Sequence, residues 1–164
     1  MYKEQLKVLP CKTGVGVFTL ADIPAKTPIL EVRGPIFAEK DLPDPNHPAL
    51  LQIGPDTFLA KSGGMDDLIN HSCSPNCYMY IAGNRAVLFS LYVIKAGSEL
   101  TFDYSSTSTD TLDKWKMDCL CGEINCRKVI SGYQYLDNAT QQYMKAKEIL
   151  PLYILHPDMF PKRF

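Results

Sequence analysis

The sequence predicts a mostly β fold ending in one helix, and three observations carry that prediction. Short β-branched and aromatic runs alternate with Gly and Pro through the first hundred positions, the punctuation of strands rather than helices. Four of the twelve prolines fall between Pro43 and Pro55, which rules out a long helix there. Helical spacing of apolar residues is found only after Asn138. A chain of 164 residues, 46% hydrophobic and 21% charged, is enough for one domain with its own core.

Strands are expected at residues 15–20, 29–33 and 57–60. Further on, YMYI and AVLFSLYVI flank AGNR, a hairpin turn, and KAGSELTF supplies another turn and strand. The Ser/Thr/Asp run SSTSTDT at 105–111 is expected to be a mobile surface connection. In the C-terminal helix Asn138 is the expected cap and Gln141 its return partner. Ala139, Tyr143, Ala146 and Leu150 form the expected inward face, and Pro151 the stop.

Net charge is −1, so the totals carry no electrostatic footprint for DNA or RNA, and direct nucleic-acid binding is not expected. The N-terminus lacks the charged-then-apolar order of an export signal, and no apolar run reaches the roughly 18 to 20 residues of a membrane span. A soluble intracellular protein, cytoplasmic or nuclear, with no membrane partner is therefore expected. In that setting six cysteines are thiols or metal ligands rather than disulfides.

Three of them form CLCGEINC, a C-x-C-x4-C pattern of Cys119, Cys121 and Cys126 with Gly122 at the turn. Thiolates converging from a short loop suit structural zinc, which takes four protein ligands in a tetrahedron. Spacing alone leaves the fourth ligand open among Cys11, Cys73, Cys77 and His71.

Four segments now stand in one order: TGVGVF, NHSCSPN, GSELTFDY and CLCGEINC. This order resembles the SET-domain protein lysine methyltransferases, the last segment resembling their post-SET zinc motif. The resemblance runs from about Gly14 to Arg127 and implies small β-sheets with a pseudoknot, a post-SET zinc loop and a C-terminal helix. It divides the chain into a SET domain at 1–112, a post-SET segment at 113–130 and a helical extension at 131–164. With no cysteine-rich stretch before Gly14, the chain resembles the compact stand-alone members.

Carried over by position, the resemblance gives Gly14, Val15 and Gly16 a backbone approach to S-adenosylmethionine, Asn70 its amino-acid end and His71 its adenine. Tyr104 matches the active-site tyrosine, which also touches the cofactor. Phe102 matches the position that governs how many methyl groups are added, and as Phe it implies di- or trimethylation. Cys73 matches the fourth zinc ligand, beside Cys119, Cys121 and Cys126. The implied substrate is a lysine ε-amine in a histone tail or another basic protein, for which Asp66, Asp67 and Asp103 supply acidic surroundings. The family pattern is altered at Val15, Val32 and Asp67, which implies a differently built cofactor pocket. The competing reading is a SET-like module that binds peptide or cofactor with weakened catalysis. A zinc hydrolase ranks last, because four thiolates leave no open metal position.

Overall fold

The computed structural model describes residues 1–44, 49–109 and 115–160. Its strands are β1 (Leu6–Cys11), β2 (Gly14–Thr19), β3 (Pro28–Val32), β4 (Ile36–Ala38), β5 (Leu51–Gln52), β6 (Thr57–Leu59), β7 (Asn70–His71), β8 (Cys77–Ala82), β9 (Arg85–Ser90), β10 (Thr101–Phe102), β11 (Lys116–Asp118) and β12 (Val129–Ser131). Two α-helices follow, α1 (Asn138–Ala146) and α2 (Leu152–Leu155).

Among the described residues these strands form five small sheets. Antiparallel pairing joins β1 to β2 and β11 to β12, and builds the three-stranded sheets β3-β9-β8 and β4-β6-β5. The fifth, β7 with β10, is parallel, Asn70 opposite Thr101 and His71 opposite Phe102. Strand β8 shows why the sequence folds this way. Cys77, Met79 and Ile81 point inward and Tyr80 and Ala82 outward, the period of two that a half-buried strand requires. Gly83 then turns the chain at a φ of +57°, so β9 returns two residues later. The core lies between the sheets, where Val17, Ile29, Leu88, Ile94 and Leu100 are closed to solvent together with Phe102.

The predicted strands at 15–20, 29–33 and 57–60 appear as β2, β3 and β6, each within about a residue at its ends. Strand β1, with Pro10 inside it, is found at the sheet edge, where a missing N–H costs nothing.

Two expectations are corrected. The Ser/Thr run is not a surface connection where it is described: Ser105, Ser106 and Thr107 are at most 2% exposed. Their hydroxyl and amide groups bond to Asp103 and Tyr104, so short polar side chains close a tight 3-10 turn under the site. Asp110, Thr111 and the boundary expected at 112/113 lie outside the described residues.

In the C-terminal region Asp137, not Asn138, caps α1, accepting from the Thr140 backbone N–H at 2.9 Å. Gln141 donates instead to the Tyr133 and Leu136 carbonyls, and Met144 is the buried residue of the helix while Ala139, Tyr143 and Ala146 face out. Helix α1 stops at Ala146, before Glu148 turns left-handed at a φ of +54°, and Pro151 opens α2 rather than ending α1.

Candidate active site

The parallel pairing of β7 with β10 sets NHSCSPN beside ELTFDY, and side chains at this junction complete the link. Asn76 accepts from the Thr101 N–H at 3.0 Å and donates to the Glu99 carbonyl at 2.7 Å. Two amide bonds from one side chain hold the turn against the strand, a use of Asn beyond a local turn.

On one side of the junction, Asn70 faces the β1–β2 hairpin. Its Nδ2 donates to the Val15 carbonyl at 2.8 Å and to Glu99 Oε1 at 2.7 Å, and lies 3.4 Å from Cys11 Sγ. A Cβ at Gly16 would overlap Glu99 Oε1, so the Glu99 side chain lies here only because the position carries none. Gly14 turns the chain at a φ of +113°, and Val15 is exposed with only its carbonyl committed to Asn70. The structure therefore brings Gly16, Asn70 and the Val15 backbone together.

On the other side, Tyr104 is anchored twice. Its hydroxyl donates to the Ile69 carbonyl at 2.7 Å, and its backbone N–H donates to His71 Nδ1 at 3.1 Å. The Phe102 ring packs on it with centroids 4.9 Å apart. Burial first, then the charge of Glu99, pushes the Tyr104 hydroxyl above the usual tyrosine range, so it is a neutral donor.

His71 is buried, and its pKa is lowered from 6.5 to about 4, chiefly by loss of solvation, with Asp103 opposing and Arg127 assisting. The 3.5 Å approach to Asp103 is thus not an ion pair at neutral pH. Because Nδ1 accepts from Tyr104, the proton sits on Nε2, which donates to Cys73 Sγ at 3.3 Å. One imidazole therefore links the Tyr104 turn to the cysteines.

Cys73, Cys119, Cys121 and Cys126 converge with their sulfurs all within 4.8 Å of one another. A tetrahedral zinc with bonds of about 2.3 Å needs sulfurs about 3.8 Å apart, and Cys73 and Cys119 stand at 3.8 Å. The donor set and spacing fit a structural zinc. Neither Cys11 nor Cys77 is near enough to compete. Cys77 is sealed in the core, where burial raises its thiol to about 12, and half-buried Cys11 sits beside Thr13 and Asn70. Asn125 clamps the cysteine loop to NHSCSPN, donating to the Cys73 carbonyl at 3.2 Å and accepting from Ser74 Oγ at 2.8 Å. Arg127 adds a buried ion pair to Asp103 at 2.7 Å, which removes Asp103 from the acidic surface expected for a substrate.

A groove runs over Tyr104, lined by Val32, Leu59, Asp66, Asp67, Phe102 and Trp115 among others. Asp66 and Asp67 do face it, but each carboxylate also holds backbone: Asp66 accepts from the Arg33 N–H, and Asp67 from those of Ser62 and Gly63. With Val32 in place, Tyr104 brings the single tyrosine hydroxyl among the described lining residues.

Sequence reasoning gave Asn76 only a local Asx-turn and assigned nothing to Glu99, Asn125 or Arg127. Each stands inside or beside a quoted motif, so position pointed to them, but a residue type alone does not reveal which backbone group it will meet.

Comparison with known proteins agrees with this geometry. Residues 14–105 match the SET domain family. An H3 lysine-36 specific histone-lysine N-methyltransferase of Chaetomium globosum is 30% identical over 157 residues, 85% of this chain and 17% of that protein. The histone-lysine N-methyltransferase set-2 of Caenorhabditis elegans is 45% identical over 71 residues, 41% of this chain and 4% of its own length. Among solved structures, KRYPTONITE in complex with mCHH DNA, an H3(1-15) peptide and SAH superposes with a TM-score of 0.61 at 28% identity, covering 76% of this chain and 29% of its own. The chain thus spans less than a fifth of the length of these curated relatives. Since the matched stretch takes in more than half of the chain and contains the Asn70–Tyr104 junction itself, this protein belongs to the SET-domain family.

Proposed function

We propose that the chain is an S-adenosylmethionine-dependent protein-lysine N-methyltransferase. The observation that carries the reading is the placement of Tyr104, which lines the groove while its hydroxyl is held by the Ile69 carbonyl and its backbone is tied to His71 on the strand that bears Asn70. A cofactor corner and a substrate groove thus share one wall. The relatives named as histone-lysine methyltransferases, and the SAH held by KRYPTONITE, support the same assignment.

In this reading Gly14, Val15 and Gly16 bring backbone to the cofactor, Asn70 takes its amino-acid end and His71 lies under its adenine. The cofactor supplies a methyl group on a sulfonium. The chain must supply a neutral amine aligned with it. At pH 7 a lysine of ordinary pKa lies about 4.6 kcal/mol below its reactive form. The Phe102 and Tyr104 rings and Leu59 desolvate the ammonium and so favour the amine. The carbonyl of Ile69 already holds the Tyr104 hydroxyl, so that oxygen stands fixed at the channel and orients the incoming nitrogen. Alignment of this kind is worth roughly 7 to 11 kcal/mol. Phe102 adds no hydroxyl that would hold water, which leaves room for di- and trimethylation.

Zinc at Cys73, Cys119, Cys121 and Cys126 would staple the loop to the cofactor strand through the His71–Cys73 contact, without entering the reaction. The substrate is a basic segment, such as a histone tail, drawn by Asp66 and Asp67 along the groove. A nuclear location follows from a histone substrate. Among the described residues no helix is long and apolar enough to cross a membrane.

The test is calorimetric titration of the zinc-loaded protein with S-adenosylmethionine and S-adenosylhomocysteine, followed by mass spectrometry of lysine-bearing basic peptides. One-to-one binding with methyl transfer to lysine is expected. Binding without transfer to any lysine peptide or histone would leave a binding module, and absence of binding would remove the enzyme reading.

A further inference from the structure

The corner between β2, Asn70 and Glu99 contains a carboxylate to which the proposed function gives no task. Glu99 is fixed through its backbone: its carbonyl accepts from Asn76 Nδ2 at 2.7 Å, it bridges to Phe18, and the next residue, Leu100, donates to the Val17 carbonyl at 2.7 Å. Its side chain lies over Gly16, where any Cβ would displace it. None of the ion pairs among the described residues includes Glu99, so a half-buried negative charge stands here without a cation. The charge is felt at the site, since it helps raise the Tyr104 hydroxyl.

The neighbouring amide has only one possible orientation. Asn70 Nδ2 meets the Val15 carbonyl and the Glu99 carboxylate, and each of these can only accept. The NH2 group is therefore turned toward them, and Oδ1 is presented on the opposite side as an acceptor. An acceptor backed by an uncompensated negative charge is a receptor for a cation with N–H groups. In S-adenosylmethionine the group of that chemistry is the α-ammonium.

We propose that Glu99 is the residue that selects this ammonium: it locks the Asn70 amide so that Oδ1 accepts from the ammonium, and it supplies the opposing charge. The inference rests on the cofactor reading above and extends it from Asn70 to a residue that acts largely through Asn70. Glu99 is thus a positioning and charge-matching residue, and the ligand class is a nucleoside thioether or sulfonium that carries a free α-amino group.

The experiment compares two ligands on two proteins. Calorimetric affinities are measured for S-adenosylhomocysteine and for its analogue with hydrogen in place of the α-amino group, on the zinc-loaded parent and on Glu99→Gln. Glutamine retains an acceptor for Asn70 and removes only the charge. The expected result is a loss of roughly 10- to 100-fold for S-adenosylhomocysteine, with the desamino analogue unchanged, which also shows that the variant is folded. An equal loss for the two ligands, or no loss for either, would overturn the proposal. If the variant does not fold, the parent alone decides, because it must bind S-adenosylhomocysteine roughly 10- to 100-fold more tightly than the desamino analogue, and equal affinities would reject the proposal. A parent that binds neither ligand would instead strike down the cofactor reading itself.

Discussion

Tyr104 is bonded at both ends to the segment that precedes and contains β7: its hydroxyl to the carbonyl of Ile69 at 2.7 Å, and its N–H to the ring of His71 at 3.1 Å. A single residue therefore fixes the distance between the groove and the Asn70 corner, and its side-chain and backbone bonds are separable by mutation.

Tyr104→Phe keeps the backbone bond and the ring. Turnover should fall by at least about 100-fold, while S-adenosylhomocysteine affinity is retained. Stability should drop by about 1 to 3 kcal/mol, since the Ile69 carbonyl loses its donor. Urea unfolding and single-turnover methylation measure the two effects, and parallel loss of cofactor binding would contradict the separation.

Phe102→Tyr adds a hydroxyl beside the Tyr104 ring, whose centroid is 4.9 Å away. The product distribution on a lysine peptide should move from di- and trimethyl toward monomethyl, as mass spectrometry would register. Parent and variant both stopping at one methyl group would refute this account of product number.

Removal of zinc should loosen the cysteine loop before the core. Burial pushes the Cys73 and Cys119 thiols up when no metal is present, so zinc must displace their protons. Calorimetry in buffers of different ionisation enthalpy should report a net release of protons on zinc binding at pH 7. Cys73→Ser should reduce zinc affinity steeply while Cys77→Ser leaves it unchanged. Release of less than one proton would mean that the cage holds thiolates without metal.

The His71 ring should remain neutral well below its ordinary range. Its folded value of about 4 lies beneath 6.5, so between those values the unfolded chain binds the proton more readily. Stability is then full above about pH 6.5, declines as pH falls and stops declining on this account below about pH 4. The His71 ring resonances followed by NMR should titrate near 4 rather than 6.5. A midpoint near 6.5 would mean that the ring is not buried as described.

Much of this was legible in the sequence because the site is made of short motifs whose chemistry is local. The three close cysteines announced a cluster of thiols, and the period of two in YMYI announced β8. What was not legible came from long-range partners. The helix face was misjudged because Met144 turns inward only when the chain from Tyr133 to Leu136 packs beneath α1, drawing Gln141 to its carbonyls. The Ser/Thr run read as solvent-facing because hydroxyls are usually wet, whereas here Asp103 and the Arg127 guanidinium enclose it. Asp103 looked like bait for a basic peptide until Arg127, 24 residues later, claimed it.

The two-residue parallel ladder of β7 and β10 has a thermodynamic consequence. A pair so short cannot persist alone, and its strands are joined only through the whole β8–β9 hairpin and the turn after it. It depends on the packing of that intervening chain, so the meeting of Asn70 and Tyr104 is a property of the completed fold. Occupancy of the corner then counts finished molecules alone: a ligand held there stabilises the completed fold by mass action and leaves partly folded chains untouched.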